Sequence, residues 1–308
     1  MLAIVIPFYK IAFFDSTLIS LSNQNDKRFK VYIGDDGSAH PPRKLLGQYI
    51  GKFNLVYHRF ENNLGGISLT QHWERCVNLI DDPLIKWLTI LGDDDVLDEN
   101  FVGDFYENVR EINELNINVI RYSSVLIDDN GDWISKVYKN PKVENSADFL
   151  LRQDKRSSLS EYIFNLQKLK KVGIKDFPLA WFSDNVLILD VSSFGNIYSI
   201  NTSIVKVRIS SLNISGKNDL KFLKDKSKSL FYMYILLNID KFTNRNNEIY
   251  EFVLKYYFKG LNKLNMKLFL VIIYFNLKKF KILYILYLLL LIVCKLILFT
   301  FNKIRSLI

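Results

Sequence analysis

Acidic residues follow two apolar runs of the sequence at the points where β-strands would end. Asp35–Ser38 comes just after the run at 31–33, and Asp93–Asp95 comes just after the run at 85–91. In an open parallel sheet, ligands bind at the carboxyl ends of the strands. Carboxylates gathered at such an edge repel one another unless a cation or a donor-rich ligand lies among them. The spacing therefore predicts a polar ligand site at this edge.

A hard divalent cation is the ligand that fits Asp93–Asp95 best. Three consecutive carboxylates exceed what a helix cap needs, and Mg²⁺ or Mn²⁺ takes one or two of them plus water and phosphate oxygens. For Asp35–Ser38 an Asx turn that caps the next helix is an equally ordinary explanation. The histidines, His40, His58 and His72, show no ligand spacing, so zinc is not expected.

Short apolar runs alternate with segments long enough to form helices. The predicted strands are 2–6, 31–33, 54–57, 85–91, 117–127 and 203–210, and the predicted helices are 15–25, 67–80, 101–115 and 227–275. Residues 146–175 are polar and helical in pattern. This order predicts an α/β fold whose early strands are parallel and buried on both faces.

Four motifs occur in an order that resembles one family. They are IVIPFYK at 4–10, DDGS at 35–38, the loop Asn62–Gly66 and LGDDDVL at 91–97. Together they resemble the family 2 glycosyltransferases of GT-A fold over roughly residues 1–125. The resemblance implies a Rossmann-like, mixed but mostly parallel sheet flanked by helices. The composition of the remaining chain adds a helical, hydrophobic C-terminal extension.

The resemblance also implies roles for individual residues. It assigns nucleotide-sugar contacts to Pro7, Tyr9, Asp36, Gly65 and Asp93, and metal contacts to Asp94, with Asp95 supporting it. One departure is Gly92, which stands where the family has the first acid of its metal motif. The alternative in which Asp93 and Asp95 hold the metal therefore stays open.

A transfer that inverts the sugar needs a carboxylate base beside the acceptor hydroxyl. Asp184 matches the position of the family's base, although an N-cap of the following helix would also explain it. Further candidates for contact with acceptor or diphosphate are Glu161, Trp181 and Arg208. Trp181 could equally be a core residue, and Arg208 could lie at a solvated strand end.

Charge divides the chain into two different parts. The whole sequence carries +9, and residues 196–308 hold 19 Lys and Arg against 5 Asp and Glu. The apolar segment 282–301 is a borderline membrane span, and Lys255, Lys259, Lys263 and Lys267 recur as one stripe of a helix. These features predict a membrane surface as partner and exclude a nucleic acid.

We therefore expect three regions: the nucleotide-sugar half at 1–125, the acceptor half at 126–216 and a membrane-associating region at 217–308. Cys76 and Cys294 form no disulfide framework, and the first residues do not resemble a secretory leader. The expected location is thus the cytoplasmic face of an inner membrane.

The expected activity is a metal-dependent, inverting transfer of a hexose. By resemblance the donor is a UDP-sugar, with glucose or galactose favoured, and the acceptor is a polyprenyl-diphosphate-linked saccharide such as GlcNAc-diphospho-undecaprenol. The product would be a β linkage in O-antigen or other surface polysaccharide. A nucleotidyltransferase acting on sugar phosphates is one alternative, although Pro7–Lys10 lacks a triphosphate loop. A non-catalytic, Mg²⁺-binding, receiver-like membrane protein is the other.

Overall fold

The packing of the chain divides it into two units, Met1–Lys228 and Ser229–Ile308. The computed structural model describes residues 1–152, 157–210, 220–259 and 266–278. The observed division falls after Lys228. The boundaries expected at 125 and 216 remain predictions.

Nine strands of the first unit form one mixed sheet in the described part of the chain. They are β1 (Leu2–Phe8), β2 (Phe29–Asp35), β3 (Asn54–Arg59), β4 (Trp87–Ile90), β5 (Val96–Leu97), β6 (Val119–Ile127), β7 (Val143–Asn145), β8 (Tyr162–Asn165) and β9 (Asn196–Arg208). The order is β3-β2-β1-β4-β8-β6-β9-β5, with β7 also paired to β9. Strands β3, β2, β1 and β4 are parallel, whereas β8 is antiparallel to both β4 and β6.

Helices flank the sheet in the first unit and form the described part of the second. They are α1 (Phe14–Ser22), α2 (Arg43–Leu46), α3 (Leu69–Val77), α4 (Phe101–Glu114), α5 (Ser146–Leu151), α6 (Leu166–Val172), α7 (Ser183–Val191), α8 (Lys221–Leu237), α9 (Asn246–Lys259) and α10 (Met266–Lys278). Side-chain caps fix some starts: Ser68 accepts from the amide of Gln71 and begins α3.

Strand β1 shows why the early strands lack an alternating pattern. Its residues divide between two core clusters, with Leu2, Ile4, Ile6 and Phe8 in one and Ala3 and Val5 in the other. Successive side chains of a strand point to opposite faces, so both faces of β1 are buried. A strand between two helical layers is therefore apolar throughout, as the sequence predicted.

Two later predictions differ from the structure. Within 146–175, which was expected to be helical, Tyr162–Asn165 is strand β8, which lies between β4 and β6 with its first three residues buried. The four residues of β8 are too few to show the alternation that is typical of a strand. The helical pattern of the neighbouring residues therefore gave the wrong prediction for this segment. Strand β9 is also longer than the expected 203–210, because it begins at Asn196 and pairs with both β6 and β7.

The second unit is helical in its described residues. Tyr232 stacks on Tyr256 with ring centroids 3.9 Å apart, and the Asn276 amide donates to the Tyr250 hydroxyl at 2.5 Å. None of the described helices has the length and apolar character needed to cross a membrane. Lys255 is exposed on α9. The other side chains of the predicted lysine stripe and the segment 282–301 lie outside the described residues.

Candidate active site

A cleft of about 640 Å³ opens where β1, β2 and β4 end. It brings together most of the residues predicted for the site. Those that line it are Pro7, Tyr9, Asp36, Gly65, Asp93, Asp94, Asp95 and Arg208. Parallel strands end at the same edge of a sheet, which is why residues distant in the sequence meet here.

Asp93 joins the turn after β1 to the loop after β4. Its Oδ2 accepts hydrogen bonds from the backbone amides of Tyr9 and Lys10, each at 2.8 Å. Burial raises the pKa of the Asp93 carboxyl, and the two amide bonds act in the opposite direction. Asp93 thus fixes the wall of the cleft formed by Tyr9 and Lys10.

Asp95 is held by hydrogen bonds from three other segments of the chain. It is buried, its Oδ1 accepts from the backbone amide of Arg208 at 2.9 Å, and its Oδ2 accepts from the Ser160 hydroxyl at 2.5 Å. Its backbone carbonyl accepts from the Thr17 hydroxyl at 2.8 Å. This geometry favours a supporting role for Asp95, while Asp94, which also lines the cleft, is only half-buried.

The carboxylates of Asp94 and Asp95 lie against Gly92. A Cβ atom built on Gly92 would lie 2.9 Å from Asp95 Oδ2 and 3.1 Å from Asp94 Oδ1. Both carboxylates therefore fold back over the Gly92 backbone. A side chain at this position would require these carboxylates to shift, which is a physical reason for a glycine where the resembled family has an acid.

Asp36 anchors the loop that follows β3. Its two carboxylate oxygens accept from the amides of Leu64 and Gly65, each at 2.8 Å, and it is also paired with Arg75 of α3. A Cβ on Gly65 would lie 2.5 Å from Asp36 Oδ2, so only glycine permits this approach. Asp36 and Gly65 both line the cleft, and their contacts with a nucleotide sugar remain predictions.

His72 of α3 lies beneath this loop and lines the cleft. Its Nδ1 is 3.5 Å from Asp36 Oδ1 and accepts from Arg75 Nε at 3.0 Å. Burial lowers the pKa of His72 to about 4, against the opposing effect of Asp36. The imidazole is therefore neutral at physiological pH.

Sequence reasoning named Arg208 only as a candidate contact to acceptor or diphosphate, and it missed Ser160 and Thr17, which also brace the acidic loop. Arg208 Nε donates to the Asp94 carbonyl at 3.0 Å, and Arg208 Nη1 donates to the carbonyls of Asp128 and Asp129. Arg208 is buried, so the expected solvated strand end is not observed. Ser160 and Thr17 carried no sequence signal, because serine and threonine are common and their partners lie more than sixty positions away.

Asp184 lies in the first turn of α7 and outside the residues that line the cleft. Burial raises the pKa of the Tyr162 hydroxyl, Arg121 opposes this effect, and the carboxylates of Glu161 and Asp184 raise the pKa further. Tyr162 is also hydrogen-bonded, at 3.0 Å, to Ser157, which lines the cleft.

The segment before α7 contains Trp181. Leu179, Ala180 and Phe182 have left-handed backbone angles, with φ between 54° and 70°. Trp181 is half-buried, and the Lys224 ammonium lies 4.8 Å from its ring centroid. Glu161 is buried in the turn before β8. Leu179 lines the cleft, which places this strained segment at its edge.

The oxygen atoms of the acidic loop suit a hard divalent cation. No cluster of three or more His, Cys, Asp or Glu side chains suited to a metal ion occurs in the described ranges. Both oxygens of Asp95 and one oxygen of Asp93 already accept hydrogen bonds. Asp94 also lines the cleft, and a carboxylate together with oxygens from phosphate and water is a shell that Mg²⁺ and Mn²⁺ accept.

No protein-family model and no curated protein sequence matches this chain. Solved structures do resemble it. The crystal structure of S. aureus TarS 1–349 superposes with a TM-score of 0.58 at 14% identity, covering 82% of this chain and 69% of that one. The same segment in complex with UDP-GlcNAc gives 0.60 at 14% identity, covering 82% and 70%. In complex with UDP it gives 0.59 at 15% identity, covering 82% and 69%.

At this level of identity the likeness establishes the fold. This chain shares with TarS a mixed α/β sheet flanked by helices, which is consistent with the GT-A fold that the four sequence motifs predicted.

Proposed function

We propose that this protein is a glycosyltransferase of cell-surface polysaccharide synthesis that uses a nucleotide-sugar donor. The observation that carries the proposal is the cleft, in which Asp36, Gly65 and Asp93–Asp95 meet at the strand ends of a GT-A fold. The likeness to TarS, which was crystallised with UDP and with UDP-GlcNAc, supports this class of donor.

In this proposal the donor is a UDP-hexose, with glucose or galactose favoured. The nucleotide occupies the part of the cleft formed by Pro7, Tyr9 and Asp36, and the ribose lies toward Asp93. The anchored loop supports such a role, because the Asp36 carboxylate, paired with Arg75, holds the amides of Leu64 and Gly65 at the cleft. A preformed wall lowers the entropy cost of binding.

The donor diphosphate would bring Mn²⁺ or Mg²⁺ with it. Asp94 would contact the cation, and Asp95 would hold the loop behind it. When bound, such a cation stabilises the negative charge that develops on the leaving diphosphate.

Asp184 is the proposed base of an inverting transfer. It would take the proton of the acceptor hydroxyl while the oxygen bonds to the anomeric carbon and the bond to UDP breaks, which yields a β linkage from an α-linked donor. Its position in the first turn of α7, just after the segment whose Leu179 lines the cleft, supports this assignment. Glu161 and Trp181 would lie toward the acceptor side.

We further propose that the acceptor is lipid-linked and that the protein works at the cytoplasmic face of an inner membrane. Leu270, Tyr274 and Leu277 share one face of α10 and are 58%, 61% and 55% exposed. The sequence that follows is rich in Lys and contains the apolar segment 282–301. Exposed apolar side chains beside basic residues favour an anionic bilayer surface.

A donor panel tests the proposed activity. The full-length protein is incubated with UDP-glucose, UDP-galactose and UDP-GlcNAc, a GlcNAc-diphospho-lipid acceptor and Mn²⁺, and the product linkage is read by NMR. We expect one UDP-hexose to give a β-linked disaccharide and free UDP. Absence of transfer from every donor, together with absence of UDP binding, would contradict the proposal.

A further inference from the structure

Ser160 connects two parts of the cleft wall that are far apart in the sequence. It lies in the 3-10 turn Leu159–Glu161 that precedes β8, and only 3% of its surface is exposed. The segment Ser157–Ser160 lines the cleft, as does the acidic loop Gly92–Asp95. A group that joins these two segments can set their relative position.

The Ser160 hydroxyl makes two hydrogen bonds to the acidic loop. It accepts from the backbone amide of Gly92 at 3.0 Å and donates to Asp95 Oδ2 at 2.5 Å. A hydroxyl can donate and accept at the same time, and here it does so to both ends of one short loop. The backbone amide of Arg208 donates a hydrogen bond to Asp95 Oδ1, so both oxygens of the buried Asp95 carboxylate accept a hydrogen bond.

Removal of the hydroxyl would affect both ends of the loop. The Gly92 amide and the Asp95 Oδ2 atom would each lose a partner, and a buried carboxylate oxygen without a donor is costly. Asp95 packs directly on the Gly92 backbone, as the 2.9 Å distance to a built Cβ shows. A reorientation of the Asp95 carboxylate therefore also moves the loop that presents Asp94.

We propose that Ser160 is a positioning residue of the donor site. Its hydroxyl keeps the Asp95 carboxylate turned into the protein, so that Asp94 is the carboxylate presented to a cation bound with the donor diphosphate. The proposal rests on the proposed function, because it takes the cleft to be the nucleotide-sugar site. Ser160 itself need not touch the cation or the donor.

Three variants of the full-length protein test this role. Ser160→Ala removes the hydroxyl, and Ser160→Thr retains it. Ser146→Ala is the matched control. Ser146 is also buried, and its hydroxyl donates a hydrogen bond to the Phe194 carbonyl at 2.6 Å, but Ser146 does not line the cleft. Two quantities are measured: amide hydrogen exchange over residues 91–97, and the Mn²⁺ concentration that gives half-maximal UDP binding by calorimetry.

We expect Ser160→Ala to accelerate exchange at Gly92 and to raise the required Mn²⁺ concentration about tenfold or more, the effect typical of residues that orient metal ligands. Ser160→Thr should restore both quantities, and Ser146→Ala should leave both at wild-type values. Wild-type exchange and Mn²⁺ dependence in Ser160→Ala would overturn the proposal, as would an equal change in Ser146→Ala.

The same measurements on the wild-type protein test the proposed function separately from the role of Ser160. If wild-type protein binds no UDP, or binds it equally with and without Mn²⁺, the donor or cation assignment is wrong, and no variant is needed to see this. If the wild type binds UDP with Mn²⁺ and Ser160→Ala behaves identically, the proposed function stands and the positioning role of Ser160 is refuted.

Discussion

Individual carboxylates of this protein differ in their surroundings more than in their sequence context. Asp93, Asp94 and Asp95 are adjacent, yet Asp93 binds two amides of another loop and Asp95 is enclosed by Ser160 and Arg208. Sequence motifs locate such a cluster but do not rank its members. Partners that lie more than sixty residues away decide which carboxylate is presented to a ligand.

Asp184 is the residue on which the chemical step depends in our account. Asp184→Asn cannot accept the acceptor's proton, so we expect kcat to fall by about 10²- to 10⁴-fold with little change in the Kd for UDP. Asp190→Asn, on the same helix α7, is the matched control and should keep wild-type kcat. Wild-type turnover in Asp184→Asn would require a different base.

Gly65 provides a test of the close contact between the loop after β3 and the Asp36 carboxylate. Because a Cβ there would lie 2.5 Å from Asp36 Oδ2, Gly65→Ala should lower the free energy of unfolding by about 1–3 kcal/mol and weaken UDP binding. Gly47→Ala is the control, since nothing lies within 4 Å of its built Cβ. Urea unfolding and calorimetry measure both effects. Equal behaviour of the two variants would show that the loop adapts freely.

At the scale of elements, α3 carries a buried polar group beneath the donor cleft. His72 has its pKa lowered to about 4 in the folded protein, whereas the unfolded chain binds the proton near 6.5. Between these pH values the unfolded state binds more protons, so stability falls as pH falls. Above about pH 7, His72 is unprotonated in both the folded and the unfolded protein, so it no longer makes the stability depend on pH.

We therefore expect wild-type stability to fall by about 2 kcal/mol more than that of His72→Gln between pH 7 and pH 5. His58→Gln changes an exposed histidine of β3 and should behave like the wild type. Urea unfolding of the three proteins at both pH values measures the difference. Parallel loss of stability in wild type and His72→Gln would show that His72 titrates normally in the fold.

Strands and helices were predictable where the pattern of apolar and polar residues in the sequence reflects how each element is buried in the fold. Strands β1, β2 and β4 are mostly apolar because both faces are buried, and α3 begins at a side-chain cap, so each leaves a signal in the sequence. Strand β8 leaves none, since its four residues are defined by pairing with β4 and β6. Likewise, the cleft was predictable from strand ends and Arg208 was named as a candidate, but the brace Ser160 and the bracing contacts of Arg208 were not predicted.

At the scale of the whole molecule, the second unit is the proposed contact with a membrane. Leu270→Glu with Leu277→Glu places charges on the exposed face of α10, and we expect binding of the full-length protein to anionic vesicles to weaken about tenfold or more. Leu237→Glu alters a leucine of α8 with similar exposure, 65%, and is the control. Co-sedimentation with vesicles measures binding. Unchanged binding in the double variant would place the membrane contact elsewhere in the chain.

The central claim is that the cleft beside Asp93–Asp95 is the site of sugar transfer from a nucleotide donor. The most direct test is acceptor-dependent release of UDP, with Mn²⁺ present, by the wild type and by Asp94→Ala, with the exposed Asp132→Ala as control. We expect Asp94→Ala to be slower by about 100-fold or more, as the loss of several kcal/mol of charge stabilisation implies, and Asp132→Ala to match the wild type. Asp94→Ala with wild-type activity would contradict the account.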